Sequence, residues 1–196
     1  MEAFIKKDYT AALKEFRPLV KQGHASAQFS LGWMYNNGEG VPQNHKTAIK
    51  WYTLSAEQGS APAQFSLGQM YRKGEGVPQN DKTAVKWYRL AAEQGFATAQ
   101  NSLGVMYREG KGVPQNYETA VKWFKLAAEQ GNTPAQTSLG SMYANGQGDL
   151  QNYKTAVKWW RLAAEQGYAY AQYNLGAMHE EGRGVPKDYD TALKWY

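Results

Sequence analysis

The chain has 196 residues, 42% of them hydrophobic and 20% charged, and its formal net charge is +5. This hydrophobic share supports a buried core and argues against a disordered chain, and no apolar run approaches the roughly 18 residues needed to cross a bilayer. Cysteine is absent, which excludes disulfides, cysteine-ligated zinc and thiol nucleophiles.

A sequence motif returns every 36 residues along the chain. Its central glycines are Gly32, Gly68, Gly104, Gly140 and Gly176. Five tryptophans keep the same interval: Trp51, Trp87, Trp123, Trp159 and Trp195. A fixed register of this kind predicts one domain of tandem units. The predicted units are a partial one at 1–23, full ones at 24–59, 60–95, 96–131 and 132–167, and a partial one at 168–196.

The second unit illustrates how each unit is expected to fold. Apolar residues recur at helical spacing over residues 61–73, which predicts a first helix that ends at Gly74. Asn80 has the position of an N-cap for a second helix, which runs to Gln94 and is followed by Gly95. Each unit is therefore predicted to be an antiparallel helix pair, and stacked pairs would form an all-α solenoid.

Two of the repeated residues have a structural interpretation. Gly68 and its equivalents cost about 1 kcal/mol each relative to alanine inside a helix, so we expect them to let two helices approach closely. The five tryptophans are interpreted as core residues that fill the space between neighbouring pairs. Lysines such as Lys86, which precede the tryptophans, are predicted to face solvent.

The motifs resemble the Sel1-like repeat, a relative of the tetratricopeptide repeat. They read Ala-x-Ala-Gln-x-x-Leu-Gly-x-Met-Tyr, Gly-x-Gly-Val-Pro-Gln, Ala-x-Lys-Trp-Tyr and Ala-Ala-Glu-Gln-Gly, and they cover nearly the whole chain. The resemblance implies a right-handed superhelix with a concave surface of the kind that adaptor proteins use. Asp149 and Leu150 replace the Val-Pro of the other connectors, which predicts a looser turn in that unit.

Variable positions on the first helices indicate a binding face. Residues 26, 29, 33 and 36 share a face that is separate from the predicted core face, and the resemblance implies that this face is concave. The predicted binding residues are Phe29, Trp33, Asn36, Phe65, Gln69, Arg72, Asn101, Val105, Arg108 and Tyr173. Aromatic residues beside arginines predict an extended peptide with apolar and acidic side chains as the ligand. Alternatively, Phe29 and Phe65 complete the helix packing.

No catalytic residue, metal site or cofactor is predicted. His179-Glu180-Glu181 lacks the His-Glu-x-x-His spacing that places two ligands on one helix face. We therefore predict a non-catalytic adaptor that binds a protein or peptide, with no nucleic-acid partner and no membrane insertion. The first alternative is a carbohydrate or nucleic-acid binder. The second is a hydrolase related to cysteine-rich Sel1-like proteins, whose paired cysteines this chain lacks.

The two ends of the chain give two further expectations. Residues 8–23 match the second helix of a unit and resemble the opening repeat of bacterial Sel1-like proteins, many of which are exported. If Met1 replaces a removed signal peptide, the location is periplasmic or secreted rather than cytoplasmic. The sequence stops at Trp195-Tyr196, within a predicted helix, so we expect either truncation or end-to-end self-association.

Overall fold

The structure is a computed structural model that describes residues 8–196. Residues 1–7, where the predicted partial unit 1–23 begins, lie outside the described residues. All regular secondary structure between residues 8 and 196 is α-helical, which confirms the all-α class. The helices are α1 Tyr9–Lys21, α2 Ala25–Asn37, α3 His45–Glu57, α4 Ala61–Lys73, α5 Asp81–Glu93, α6 Ala97–Glu109, α7 Tyr117–Glu129, α8 Thr133–Asn145, α9 Tyr153–Glu165, α10 Ala169–Glu181 and α11 Tyr189–Trp195.

Two kinds of helix alternate along the chain. The even-numbered helices, from α2 to α10, are called A helices here, and the helix that follows each of them is its B helix. A left-handed glycine ends helix α4, where Gly74 has a φ of 75° and its N–H donates to the Met70 carbonyl. The side chain of Asn80 accepts a hydrogen bond from the backbone N–H of Thr83 and so caps α5. Both predicted helices of the second unit are confirmed.

The helices group into two compact units, one that runs as far as Phe96 and one from Ala97 to Tyr196. In the first unit, helices α1 to α5 each contact the next helix along the chain. The same sequential pattern joins α6 to α11 in the second unit. Contacts between consecutive helices are what stacked repeats require, because each pair covers the apolar face of its neighbour.

Each A-helix glycine faces an aromatic ring of the paired B helix. A Cβ atom added at Gly68 would lie 2.5 Å from the ring of Tyr88, and one added at Gly140 would lie 2.7 Å from the ring of Trp160. Atoms that close overlap, so any larger residue would displace a ring in a closely packed interior. The expected close approach of the two helices is confirmed. The facing rings of the full pairs belong to Tyr52, Tyr88, Phe124 and Trp160.

The repeated tryptophans are half-buried, so the prediction that they are core residues is only partly right. Trp87 and Trp159 pack against clusters of buried residues from the B helix of the preceding pair and the A helix of their own pair, as predicted for rings between pairs. The next residue along the chain is the buried one, since Phe124 is 0% exposed. Adjacent helical residues point about 100° apart, so only one of the two rings can face the A-helix glycine.

The connector with Asp149 and Leu150 has the same turn as the others, so the prediction of a looser turn is wrong. The N–H of Asn152 donates to the Tyr143 carbonyl at 2.9 Å, as Asn80 does to Tyr71 at 2.8 Å. The Gln151 amide also donates to the carbonyl of Ala144 at 2.7 Å. None of these bonds involves the replaced Val-Pro, which explains why the turn keeps its geometry.

Candidate functional site

The second unit carries an open groove of about 850 Å³ beside A helices α6 and α8, which is called the second-unit groove here. Helix α6 contributes residues of the predicted binding face, and α8 contributes a stripe of small polar residues. Its lining residues are Asn101, Val105, Arg108, Glu109, Lys111, Gln115, Tyr117, Pro134, Thr137, Ser138, Ser141, Asn145, Gln147, Tyr168 and Tyr170. The structure thus brings Asn101, Val105 and Arg108 together.

Helix periodicity divides α8 into a groove face and a core face. Thr137, Ser141 and Asn145 recur every four residues and line the groove, while Leu139 and Met142 are buried in the core. Serine at 141 occupies the repeat position that is tryptophan at 33 and glutamine at 69. Small side chains on this face therefore leave the space that forms the groove.

A small network of charges lies at one side of the groove. Glu109 forms ion pairs with Lys111 at 2.8 Å and with Arg108 at 3.2 Å. The hydrogen bond from Lys111, with a further one from Arg108, lowers the pKa of the Glu109 carboxyl below its usual value. The guanidinium of Arg108 also lies 5.7 Å from the centre of the Phe124 ring. The carboxylate therefore offsets one of the two positive charges.

Some polar groups of the groove are occupied within the protein and others are free. The hydroxyls of Thr137 and Ser141 donate to carbonyls one turn earlier in α8. In contrast, no hydrogen bond from the side chains of Ser138, Asn145 or Tyr170 is found within residues 8–196. These free groups are available to a ligand.

The first unit has a smaller pocket of about 270 Å³, called the first-unit pocket here. Its lining residues are Trp33, Asn36, Asn37, Tyr52, Ser66, Gln69, Met70, Lys73 and Glu75. Asn36 Oδ1 is 3.0 Å from the His45 ring, and Lys73 pairs with Glu75 at 3.4 Å. Burial raises the pKa of Tyr52, whose hydroxyl shares a hydrogen bond with Ser66. The structure thus brings the predicted residues Trp33, Asn36 and Gln69 together.

The other predicted site residues line neither cavity and lie beside B-helix rings. The rings of Phe29 and Tyr52 have centroids 5.7 Å apart, and the Phe65 ring lies at the same distance from Tyr88. Both phenylalanines therefore have the packing geometry of the alternative interpretation. Arg72 donates a hydrogen bond to the hydroxyl of Tyr88, and burial raises the pKa of that tyrosine to about 12.

Tyr173 is 62% exposed, and its ring lies 5.7 Å from that of Tyr196. The Tyr196 hydroxyl donates to the carboxylate of Glu180 at 2.7 Å. Tyr173 thus occupies the repeat position of Phe29 and Phe65 and has the same kind of ring partner, although it is far more exposed.

Two tyrosines of the groove are absent from the predicted set. Tyr168 precedes α10 and Tyr170 lies in its first turn. Tyr170 has the repeat position of residue 26, on the variable face, but the predicted set takes residues only from the positions equivalent to 29, 33 and 36. A sequence signal was present, since the equivalent positions of the other units hold no tyrosine. A comparison that included the helix start would therefore have identified both residues.

Between residues 8 and 196, no three His, Asp or Glu side chains are grouped so that they could hold a metal ion. Within the same range, no helix is both long and apolar enough to span a membrane.

Comparison with known proteins identifies the repeat. The family model described as "Sel1 repeat" matches residues 25–60, 61–96, 97–132, 133–168 and 169–196. A search of curated proteins gives no significant match. A crystal structure of a Sel1 repeat protein from Oxalobacter formigenes is 39% identical, with a TM-score of 0.94 over all of this chain and 80% of that one.

Two other solved structures are informative. The protein c5321, a protective antigen of uropathogenic Escherichia coli, is 41% identical, with a TM-score of 0.92 over 94% of this chain. This chain spans 39% of the length of c5321. The immunity protein Pa5087 of Pseudomonas aeruginosa matches over 100% of this chain and 75% of its own at 22% identity and a TM-score of 0.55, a similarity of fold alone. The chain belongs to the Sel1 repeat family, whose fold is a protein-interaction scaffold.

Proposed function

We propose that this protein is a non-catalytic scaffold that binds a protein or peptide partner along its A-helix face. The observation that carries the proposal is the second-unit groove. It has about 850 Å³ of open space, which is within the range of about 300–1,000 Å³ typical of ligand sites. An open groove beside parallel stripes of two helices suits an extended segment better than a compact small molecule.

The composition of the groove supports a binding role. Val105 offers an apolar contact, while Asn101 and Asn145 carry amides that can both donate and accept hydrogen bonds. Backbone groups of an extended peptide need partners of this kind, because they lack the internal hydrogen bonds of a helix. Arg108 adds a positive charge that its neighbour Glu109 partly offsets. These residues form the main binding surface of the proposal.

The first-unit pocket has a secondary role in the proposal. Its volume of about 270 Å³ is roughly a third of that of the groove, so it suits a single side chain. Trp33 contributes an aromatic face, and Asn36 and Gln69 contribute amides. In this proposal Phe29 and Phe65 do not contact the partner directly but pack against the B-helix rings of Tyr52 and Tyr88. Arg72 and Tyr173 are exposed and remain candidates for direct contact.

Site-specific photo-crosslinking tests the proposal. The full chain, carrying benzoylphenylalanine in place of Tyr170, an exposed ring of the groove, is incubated with an extract of the source organism and irradiated, and attached proteins are identified by mass spectrometry. A matched chain carries the same group at Lys125, an exposed residue of B helix α7. We expect a defined partner to be attached from position 170 and not from position 125.

The outcome also decides between faces of the molecule. Equal attachment from both positions, or attachment from position 125 alone, would place the partner elsewhere and refute an A-helix site. Failure to attach any protein from position 170 would count against the scaffold role. Circular dichroism of both chains controls for the helical fold.

A further inference from the structure

Tyrosines are the distinctive feature of the second-unit groove. Tyr117 comes from the start of α7, and Tyr168 and Tyr170 come from the start of α10. Tyr168 is 40% exposed and Tyr170 is 58% exposed. A tyrosine ring offers a flat apolar surface with a hydrogen-bonding tip. The groove therefore presents flat rings next to the small polar residues of α8.

The free hydrogen-bonding groups of the groove include several donors. The Tyr117 oxygen accepts a hydrogen bond from the Gln115 amide at 3.1 Å, so its own proton is available to another acceptor. The hydroxyls of Ser138, Tyr168 and Tyr170 make no hydrogen bond within residues 8–196, so each can donate to a ligand.

The strongest hydrogen-bond acceptor of the groove, the Glu109 carboxylate, already has partners within the protein. Both carboxylate oxygens of Glu109 are engaged, one by Lys111 and the other by Arg108. Asn101 Oδ1 is an acceptor without a partner among the described residues, but the free hydroxyl donors are more numerous. A ligand with more acceptors than donors therefore complements this surface best.

A proline-rich segment has this chemistry. The polyproline II helix has no internal hydrogen bonds, so all its carbonyl oxygens are free. Proline has no backbone N–H, and its ring packs flat on aromatic side chains. Such a segment is also largely preformed, which reduces the entropy lost on binding.

We propose that the second-unit groove binds a proline-rich segment of the partner in the polyproline II conformation. This inference rests on the proposed scaffold function and specifies the partner's chemistry. An acidic peptide fits less well, because Glu109 already faces both Arg108 and Lys111. The exposed tyrosines also favour a ligand with flat apolar groups over a purely charged one.

Calorimetric titration of the full chain with a decaproline peptide tests this inference. A glycine-serine peptide and a glutamate peptide of the same length are the comparison ligands. We expect decaproline to bind and the other two to bind at least about tenfold more weakly, a difference of about 1.4 kcal/mol. The double variant Tyr168→Ala, Tyr170→Ala should lose at least about tenfold in affinity for decaproline.

Two further variants make the result specific. Tyr189→Ala removes a tyrosine that is equally exposed, at 58%, but does not line the groove, and it should keep the wild-type affinity. Tyr117→Phe keeps the ring and removes the hydroxyl donor, and we expect a several-fold loss. Helical content by circular dichroism shows whether each variant is folded.

Three results would overturn the inference: no binding of decaproline, equal binding of a comparison peptide, or unchanged affinity in the double variant. The scaffold proposal has a separate test. If position 170 attaches a partner that decaproline does not displace, the scaffold role stands and the proline-rich ligand is wrong. If decaproline binds while no partner is attached, the groove chemistry stands and the scaffold role is refuted.

Discussion

The two units repeat the same helix pair but differ in the side chains on the A-helix face. At corresponding positions, Trp33 and Gln69 in the first unit are replaced by Val105 and Ser141 in the second. The cavity on this face grows from about 270 Å³ to about 850 Å³. The comparison teaches that, on a constant backbone, the size of a few exposed side chains decides where a ligand can bind.

The buried rings of the B helices differ between the units as well. The first unit buries Tyr52 and Tyr88, whose hydroxyls need partners, whereas the second buries Phe124 and Trp160. The Trp160 indole N–H donates to the Thr137 carbonyl at 3.2 Å, and Phe124 needs no partner. Only the first unit thus has ionisable groups among these B-helix rings, which leads to a prediction about pH below.

The largest expected effect comes from deletion of a buried ring. Phe124→Ala should reduce the free energy of unfolding by about 3–5 kcal/mol, because the ring is 0% exposed and fills the space at Gly104. Tyr88→Ala should cost a similar amount in the first unit. Urea denaturation measures both. The neighbouring half-buried Trp123→Ala is the control, and a larger loss for Trp123 than for Phe124 would contradict the assignment of the core ring.

The next effect concerns the space beside the A-helix glycines. Gly140→Ala would place a Cβ atom 2.7 Å from the buried Trp160 ring, and we expect a loss of about 1–3 kcal/mol. Gly176→Ala is the matched variant, since its facing ring, Tyr196, is 57% exposed and can move. There the helix preference of alanine, up to about 1 kcal/mol, should offset the crowding. Equal losses of stability for Gly140→Ala and Gly176→Ala in thermal unfolding would refute this interpretation of the glycines.

The buried tyrosine Tyr88 is expected to make the stability of the protein fall at alkaline pH. Burial raises the pKa of Tyr88 from 10.0 to about 12, so the unfolded chain releases this proton at a lower pH than the folded chain. Stability from this tyrosine is therefore complete below pH 10 and is lost as the pH rises towards 12. Tyr88→Phe introduces the residue that the second unit has at the equivalent position, Phe124, and should reduce this loss of stability with rising pH. Unfolding is measured across this pH range for both proteins. If the stability of Tyr88→Phe falls as steeply as that of the wild type, the prediction is wrong.

The smallest predicted difference lies at the helix starts. Asn132 accepts a hydrogen bond from the Ala135 N–H at 3.0 Å and caps α8, whereas Ser60 makes no side-chain capping bond before α4. Asn132→Ala should cost about 1 kcal/mol and Ser60→Ala only a few tenths. Urea denaturation of the two variants measures this difference, and a larger loss for Ser60 would be contrary to expectation.

Much of the fold was predictable because its determinants are local. Gly74 ends a helix and Asn80 begins the next one through interactions with residues a few positions away, and the 36-residue register extends that assignment to all units. The choice between Trp87 and Tyr88 as the buried ring was not predictable in this way. It depends on the rotation of the B helix relative to Gly68, which is a property of the packed pair.

The candidate site was only partly accessible from sequence. Repeat comparison identified Asn101, Val105 and Arg108, which the structure brings together in one groove. The extent of the groove depends on the summed volumes of side chains from several helices. This sum cannot be read from the residue at any single repeat position. Tyr168 enters the groove from the N-cap of α10, which helical periodicity does not cover, whereas Tyr170 has the repeat position of residue 26 on the predicted face.

Obstructing each cavity in turn shows whether a partner binds in the second-unit groove. Ser141→Arg places a long charged side chain in the groove, and Gln69→Arg does the same in the first-unit pocket, at the equivalent repeat position. Both full-length variants are compared with the wild type for capture of the partner attached from position 170. We expect Ser141→Arg to lower the affinity by at least about tenfold and Gln69→Arg to change it by less than about threefold. Unchanged capture by Ser141→Arg, with its helical content intact, would contradict the claim.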